Sequence, residues 1–467
     1  MTQAQSGDVA GVVSIGAAQS LAAPLSPVQA AERVGSVDVV RGFALLGILA
    51  MNITAFALPS SAYMSASSPA LETYIGPFTG GNKLVWHITH LLFAEKMMGI
   101  FSMLFGAGLI LMDSRSTGGA DPATSRRAGF AGVYYRRLAV LLGIGIIHAF
   151  CIWYGDILIS YALCGTLLYP MRKLAPKWLI TLAIAFLAIG TLLNMGMGGM
   201  LTWMETQSNA AQVKLDAGQT PTPEEKQMFD VWTGPQGPNA ATRPEAINAE
   251  VDAHRGGFAT SFMQNLKSAF FLVLFLFPMW MLWKGTGLML LGMALMKMGY
   301  FKSSMPVRTI GIVMALGYLI GLPLCLLSGE DLMKSDFSMG RMFLVGGPLN
   351  WWGSVGVALG HLSLVLLLLR MNVLGWLGRS LAAVGRMAFT NYLMHSIVMT
   401  FIFYGWGLGM FAKFDRVELL GFVVGMWIFQ LIISPLSFTR FQFGPAEWLW
   451  RTLTYGKIQP FLKPAAA

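Results

Sequence analysis

Two residues at the end of the third apolar segment have the types that general base catalysis requires. His148 lies near the end of YYRRLAVLLGIGIIHAFCIW, and Asp156 follows in the short turn before the next apolar segment. A tight helical hairpin could bring the two side chains together. A carboxylate bonded to an imidazole fixes its tautomer, and the imidazole can then take a proton from a hydroxyl group. The structural alternative is that Asp156 caps the next helix and His148 is a satisfied core residue.

The second apolar segment, VWHITHLLFAEKMMGIF, carries two histidines and two charged residues. His87 and His90 are three residues apart and share one helical face, so both are candidate bases, with His90 the rival of His148. Adjacent residues point about 100° apart on a helix. Glu95 and Lys96 are therefore expected to find partners on other helices rather than each other. A structural polar contact is the alternative for these two.

Three arginines, Arg41, Arg136 and Arg137, mark one end of the apolar segments. Arg41 follows Asp38 by three residues in SVDVVRGFALLGILAMN, so the two can form an ion pair that begins the helix. The other interpretation is that the arginines bind an anionic group such as a phosphate, because guanidinium is planar and always charged. Asn52, deeper in the same segment, is expected to bond a neighbouring helix.

Asn391 and His395 lie one turn apart in GRMAFTNYLMHS, where a hydrogen bond between helices is the simplest interpretation. Polar residues inside a membrane also commonly face a bundle interior or an aqueous cavity. We therefore predict a polar path between the two sides of the membrane. Its members are Asp38, Asn52, Glu95, Lys96, Asn391 and His395.

The chain is too apolar for a soluble domain. Of its 467 residues, 55% are hydrophobic and 12% charged, whereas soluble domains have about a quarter charged. Apolar runs of about 20 residues recur. This predicts an all-α polytopic membrane bundle of about ten transmembrane helices, or eleven if residues 285–298 cross separately. The net charge of +10 is attributed to Lys and Arg flanking the spans, not to nucleic-acid binding, and the three scattered cysteines predict no metal site.

The distribution of Lys and Arg predicts the orientation. Cytoplasmic loops carry an excess of basic residues, and the loop between the second and third spans contains Arg115, Arg126, Arg127, Arg136 and Arg137. We expect that side, and both termini, to be cytoplasmic. The expected parts are a disordered tail at 1–35, one transmembrane domain at 36–457 with a long, mostly flexible outer loop at about 205–258, and a C-terminal tail at 458–467.

The motifs together resemble the YeiB-like family of bacterial inner-membrane proteins, long labelled as a domain of unknown function. The matching motifs are SVDVVRGFALLGILAMN, AEKMMGIFSMLFGAG, YRRLAVLLGIGIIHAFCIWYGDILISYALCG, GRMAFTNYLMHS and FGPAEWLWRTLTYG. That family is similar in turn to the transmembrane acyltransferase superfamily. The shared features are a second span with a His before it and a carboxylate within it, and the first-span pattern Ser36, Asp38, Arg41, Gly42 and Asn52.

The resemblance implies a multi-pass protein of the bacterial inner membrane that moves an acyl group from cytoplasmic acyl-CoA to an envelope glycan or similar hydroxyl acceptor. Such relatives use an intramembrane His, for which this chain offers His87, His90 and His148. We expect the three arginines to hold the CoA phosphates, and His148, oriented by Asp156, to deprotonate the acceptor. Acyl-CoA is then a co-substrate, membrane lipids are partners, and no metal or permanent cofactor is expected.

Two other functions remain open from the sequence. The first is a transporter of a small solute or of protons that uses the same polar path, with Glu95, Lys96 and His395 as the relay. The second is an envelope scaffold that binds partners through its outer loop.

Overall fold

The computed structural model describes residues 35–117, 127–235, 237–238, 240–302 and 304–463, and these form a bundle of helices. Within the described residues, eight helices are long and apolar enough to cross a membrane, and two shorter apolar helices join them. In chain order the ten are α1 (Gly35–Ala57), α2 (Gly80–Ser114), α3 (Gly129–Ile152), α4 (Leu158–Met171), α5 (Pro176–Asp216), α6 (Phe258–Lys297), α7 (Val307–Lys334), α8 (Met339–Arg370), α9 (Ala388–Phe403) and α10 (Arg416–Arg440). The predicted polytopic helical bundle is confirmed.

Residues 285–298 make no separate crossing, because α6 is one continuous helix. Its middle part, Leu272–Met281, is π-helical and contains Pro278. Proline lacks a backbone donor and crowds the preceding turn, and a wider turn accommodates it. The chain then continues as an α-helix over Leu282–Lys297. The alternative of eleven crossings is therefore wrong.

Helix α2 is broken where its charged residues lie. A π-helical turn, Thr89–Phe93, is followed by Glu95 with a φ of 65°, a conformation that costs a non-glycine residue roughly 1–2 kcal/mol. At the break, backbone carbonyls accept hydrogen bonds from side chains. Lys96 Nζ donates to the carbonyl of His90 at 2.6 Å, and His361 Nε2 donates to that of Leu92 at 3.0 Å.

Glycines allow two membrane helices, α2 and α6, to approach until their backbones touch. A Cβ on Gly106 would lie 1.9 Å from the carbonyl oxygen of Met289, and one on Gly292 would lie 1.8 Å from that of Met103. Small residues are the usual means of such close packing in membranes. The contact aligns α2 and α6, which carry Glu95 and Lys284 respectively.

Two helices close the inner end of the bundle, the end at which α1 begins and which the Lys and Arg pattern predicts to be cytoplasmic. Helix Gly375–Arg386 packs directly on α1, since a Cβ on Gly385 would lie 1.9 Å from the carbonyl oxygen of Asp38. Helix Pro445–Tyr455 carries Glu447, whose carboxylate accepts the backbone N–H of Phe389 at 2.7 Å. Glu447 thereby caps the start of α9.

The outer segment at about 205–258, expected to be mostly flexible, is instead mainly helical where it is described. Helix α5 extends to Asp216, and helices Pro223–Thr233 and Pro244–Arg255 follow. Thr222 and Glu225 form a capping box at the first of them, which satisfies free backbone donors at its start. The second docks on the bundle, because the Glu250 carboxylate accepts Ser60 N–H at 2.9 Å and Ser60 Oγ–H at 2.8 Å.

The expected N-terminal tail lies outside the described residues except for Gly35, and so do residues 118–126 of the basic loop. The C-terminal tail is described as far as Lys463 and folds back on the end of α10. Lys463 N–H donates to the carbonyl of Arg440, and Gln442 N–H donates to that of Phe461, both at 2.9 Å.

Candidate functional site

His148 and Asp156 are in direct contact. His148 Nδ1 lies 2.7 Å from Asp156 Oδ2, and the side chains are 1% and 2% exposed, so water does not compete for this hydrogen bond. The second carboxylate oxygen, Oδ1, accepts the backbone N–H of Ile159 at 2.8 Å. Asp156 therefore orients the imidazole and caps α4 at the same time, and the two interpretations of this residue do not compete.

Ser396 on α9 contacts the other nitrogen of the same ring. His148 Nε2 lies 2.8 Å from Ser396 Oγ, and both atoms are buried. In a neutral imidazole whose Nδ1–H donates to the carboxylate, Nε2 accepts the hydroxyl proton of the serine. We call Asp156, His148 and Ser396 the histidine cluster. Ser396 was not predicted from the sequence, because nothing in its own segment points to His148.

Contacts from α6 and from Tyr392 on α9 hold the backbone around the histidine cluster in place. The π-helical turn His148–Ile152 ends α3, and Asn265 Nδ2 on α6 donates to the carbonyls of Ala149 and Phe150 at 2.9 and 3.1 Å. Tyr392 on α9 accepts the backbone N–H of Ile157 at 3.2 Å, and its ring centroid lies 5.2 Å from that of His148. The ring of His148 is thus fixed by backbone contacts as well as by Asp156.

A second polar cluster lies at the break in α2. Lys284 Nζ pairs with the Glu95 carboxylate and donates to Ser354 Oγ at 2.8 Å. Lys96 Nζ donates to Asn350 Oδ1 at 2.8 Å. We call Glu95, Lys96, Lys284, Asn350 and Ser354 the lysine cluster. As the sequence predicts, Glu95 and Lys96 have partners on other helices.

The lysine cluster holds two ammonium groups and one carboxylate. Both lysines are fully buried, while 23% of the Glu95 side chain is exposed. Tyr63, which is half-exposed, lies within electrostatic range of Glu95. Lys284 was not predicted from the sequence, because no motif in its own segment points to Glu95. Such a cluster could hold an anion or relay protons.

The two other candidate bases, His87 and His90, lie apart from the histidine cluster. The His90 ring stacks on Trp86 with centroids 5.0 Å apart, and the His87 ring lies edge-on to the same indole at 5.2 Å. His90 Nε2 is buried and has no hydrogen-bond partner among the described residues. Within the described part of the chain, His90 therefore has a free nitrogen, and no carboxylate is in hydrogen-bond contact with its ring.

Asn391 and His395 join α9 to α10. Asn391 Nδ2 donates to Ser434 Oγ at 3.0 Å, and His395 Nε2 lies 2.9 Å from Gln430 Oε1. Among the described residues, no hydrogen bond links these side chains to either cluster. The structure thus divides the predicted path into separate groups. Asn52 is buried in α1.

The three arginines lie at the inner end. Arg41 Nη1 bonds Asp38 Oδ1 at 2.7 Å, as the ion-pair interpretation predicts, yet 29% of the Arg41 side chain remains exposed. The Arg137 guanidinium lies 3.8 Å from the centroid of Trp450 and within electrostatic range of Arg41. Arg136 Nη1 reaches the carbonyl of Thr454 at 3.5 Å. These groups could bind phosphates.

In the described part of the chain, no group of three His, Cys, Asp or Glu could hold a metal ion.

Comparisons with known proteins identify the family. The family described as "Protein of unknown function (DUF418)" matches residues 295–457. The uncharacterized protein YxaH of Bacillus subtilis (strain 168) is 31% identical over 442 residues, which is 94% of this chain and 98% of that protein. The uncharacterized protein YeiB of Escherichia coli (strain K12) is 30% identical over 447 residues, 92% of this chain and 98% of its own length. This chain therefore belongs to the YeiB-like family of membrane proteins.

Proposed function

We propose that this protein is a multi-pass acyltransferase of the bacterial inner membrane. It transfers an acyl group from cytoplasmic acyl-CoA to a hydroxyl acceptor, such as an envelope glycan, on the other face. The observation that carries the proposal is the 2.7 Å hydrogen bond between His148 Nδ1 and Asp156 Oδ2 in a site withdrawn from water. A base held in one tautomer by a buried carboxylate is the arrangement that removes a proton from a hydroxyl group.

The donor would bind at the inner end. Arg41, Arg136 and Arg137 present guanidinium groups there, and the partial exposure of Arg41 leaves its charge available to a phosphate. Guanidinium is suited to the phosphates of CoA because its planar fork can bond two oxygens at once. The resemblance of the first two spans to transmembrane acyltransferases supports the same assignment.

The test uses purified protein with labelled acetyl-CoA and octyl glucoside as the hydroxyl acceptor. Losing a general base costs about 10²–10⁴-fold in rate, so His148→Gln should reduce acetyl transfer by that factor and leave acetyl-CoA binding intact. Arg136→Ala should weaken binding instead. His395→Gln is the matched control, because His395 is also buried but pairs with Gln430.

Absence of acetyl-CoA binding and transfer in the wild-type protein would reject the proposal. If His148→Gln kept full acetyl transfer and His90→Gln lost it, the general base would be His90 rather than His148.

The lysine cluster supports proton or solute transport as a second candidate function. Its buried Lys284–Glu95 pair, with Lys96 beside it, is the kind of group that relays protons in membranes. Proteoliposomes with a pH-sensitive dye inside should then show proton flux that Glu95→Gln abolishes. Wild-type liposomes as impermeable as empty ones would exclude the proton relay.

A further inference from the structure

The hydroxyl of Ser396 is committed to His148 in a way that serines in apolar helices ordinarily are not. Such serines commonly bond the backbone carbonyl one turn earlier, as Ser102 does with Met98 at 3.0 Å and Ser363 does with Leu359 at 2.6 Å. Among the described residues, the contact of Ser396 Oγ is with His148 Nε2 at 2.8 Å. A base whose free lone pair already faces a hydroxyl acts first on that hydroxyl.

We propose that Ser396 is the nucleophile of this protein and carries the acyl group as an ester between two half-reactions. The inference rests on the proposed acyl transfer and names a step within it. Its basis is the order Asp156, His148, Ser396, with contacts of 2.7 and 2.8 Å. In the tautomer whose Nδ1–H donates to the carboxylate, the serine hydroxyl donates to Nε2, so both hydrogen bonds point toward the carboxylate. This order activates a serine in unrelated acyl-transfer enzymes.

The first half-reaction consumes the donor. His148 Nε2 takes the Ser396 hydroxyl proton while Oγ attacks the thioester carbonyl carbon of acyl-CoA. The C–S bond breaks, the proton passes from His148 to the leaving thiolate, and CoA leaves as the free thiol. The product is an ester on Ser396, and no oxidant or reductant is needed.

The second half-reaction uses the same groups in reverse. His148 Nε2 takes the proton of the acceptor hydroxyl, whose oxygen attacks the ester carbonyl carbon. The bond between the acyl carbon and Ser396 Oγ breaks, and His148 returns the proton to the serine. The acyl group leaves as an ester of the acceptor.

The position of Ser396 explains why an ester on the protein is useful. Ser396 lies in the middle of α9, which spans Ala388–Phe403, about 12 Å from its start and about 10 Å from its end at roughly 1.5 Å per residue. An acyl group held there can be received from one face and given to the other, so CoA does not need to cross. Ser396 is fully buried, so the side chains that cover it must move for the thioester to enter.

The experiment exploits the half-reaction that needs no acceptor. Wild-type protein mixed with acetyl-CoA and labelled CoA should exchange label between them, and a quenched, digested sample should show an acetyl ester on the peptide that contains Ser396. Ser396→Ala should lose both signals by at least about 100-fold. Ser396→Cys should keep exchange and form a thioester that neutral hydroxylamine cleaves, which excludes misfolding as the cause. Ser363→Ala, a buried serine bonded to its own helix, should exchange normally.

Two results would overturn the assignment of Ser396 while leaving acyl transfer intact. One is a Ser396→Ala protein that still exchanges CoA and acetylates octyl glucoside when His148→Gln does neither. The other is an acetyl group found on a histidine, recognised by its lability to neutral hydroxylamine in the wild-type protein. A wild-type protein that neither binds acetyl-CoA nor transfers acetyl would reject the proposed function, and the nucleophile with it.

Discussion

The histidine cluster and the lysine cluster are both buried between apolar helices, but they satisfy their polar groups in different ways. In the histidine cluster, one carboxylate, one imidazole and one hydroxyl form a short chain of hydrogen bonds at 2.7 and 2.8 Å. In the lysine cluster, an ion pair between Lys284 and Glu95 stands beside a second buried ammonium, and Glu95 has a strained backbone. The histidine cluster is therefore a chain of hydrogen bonds, whereas the lysine cluster brings three charged groups close together.

The difference predicts where each cluster matters. A buried ion pair contributes little net stability, but removing one partner leaves an unpaired charge in a medium of low polarity, which is costly. A hydrogen-bonded chain that contains a single carboxylate loses less when one member changes. Changes in the lysine cluster should therefore lower stability most, and changes in the histidine cluster should lower activity most.

Lys284→Met should give the largest loss of stability, about 3–5 kcal/mol, because it leaves the Glu95 carboxylate without its partner. Denaturant unfolding in detergent measures it. The double variant Glu95→Gln with Lys284→Met should recover most of the loss. Lys297, at the end of the same helix, is partly buried, and Lys297→Met should change the stability little. Equal stability of Lys284→Met and the wild type would end the contrast between the clusters.

His254 sharpens the comparison. It is a buried imidazole on helix Pro244–Arg255, and no carboxylate of the described residues bonds its ring. Burial lowers the pKa of His254 to about 4, although its Nδ1–H bonds the carbonyl of Glu250. An unfolded histidine has a pKa of about 6.5. His254 therefore costs no stability above about pH 6.5. Below that, the unfolded chain binds the proton more readily, and the free energy of unfolding falls by roughly 3 kcal/mol as the pH decreases toward 4.

The Glu250 carboxylate acts in the opposite sense. Burial raises its pKa, against the hydrogen bonds from Ser60, so its contribution is greatest at low pH and is lost as the pH rises through the raised value. The free energy of unfolding, measured between pH 7 and 4.5, should fall as the pH decreases. His254→Phe should reduce that fall, and Glu250→Gln should enlarge it. A fall of the same size in His254→Phe would assign the acid sensitivity to other groups.

Gly292→Ala should disturb the lysine cluster without touching its side chains. The added Cβ would lie 1.8 Å from the carbonyl oxygen of Met103, so α2 and α6 must separate at a cost of about 1–3 kcal/mol. Thermal unfolding compares it with Gly311→Ala in α7, where no atom lies within 4 Å of the added Cβ. Similar melting of the two variants would mean that the helix contact is looser than the structure has it.

Ser354→Ala and Ser396→Ala form the finest comparison. Each removes one buried hydroxyl, but Ser354 accepts a hydrogen bond from Lys284 and Ser396 contacts His148. Ser354→Ala should cost about 1 kcal/mol of stability and leave CoA exchange unchanged. Ser396→Ala should abolish exchange. Loss of exchange in both variants would show that the two clusters work as one site.

The contacts that the sequence analysis predicted correctly are short in sequence. Arg41 pairs with Asp38, and Asp156 reaches His148, because one helical turn or one tight hairpin leaves few other arrangements. The helical bundle was equally accessible, since each apolar run must satisfy its backbone inside the membrane as a helix. The short reach of these interactions made them predictable.

The long-range partners were not accessible in the same way. Ser396 is 248 residues from His148, and Lys284 is 189 residues from Glu95. Neither pair follows from a motif in the sequence.

By itself, the sequence determined a polytopic bundle of membrane helices and the polar residues that must find partners inside it. Only the tertiary structure decided which residues those partners are. The physical reason is that hydropathy sets where a helix lies along the membrane normal, whereas its rotation and neighbours depend on close packing, such as that of α2 on α6. The break in α2 at Glu95 and the contact of Ser396 with His148 both depend on that packing.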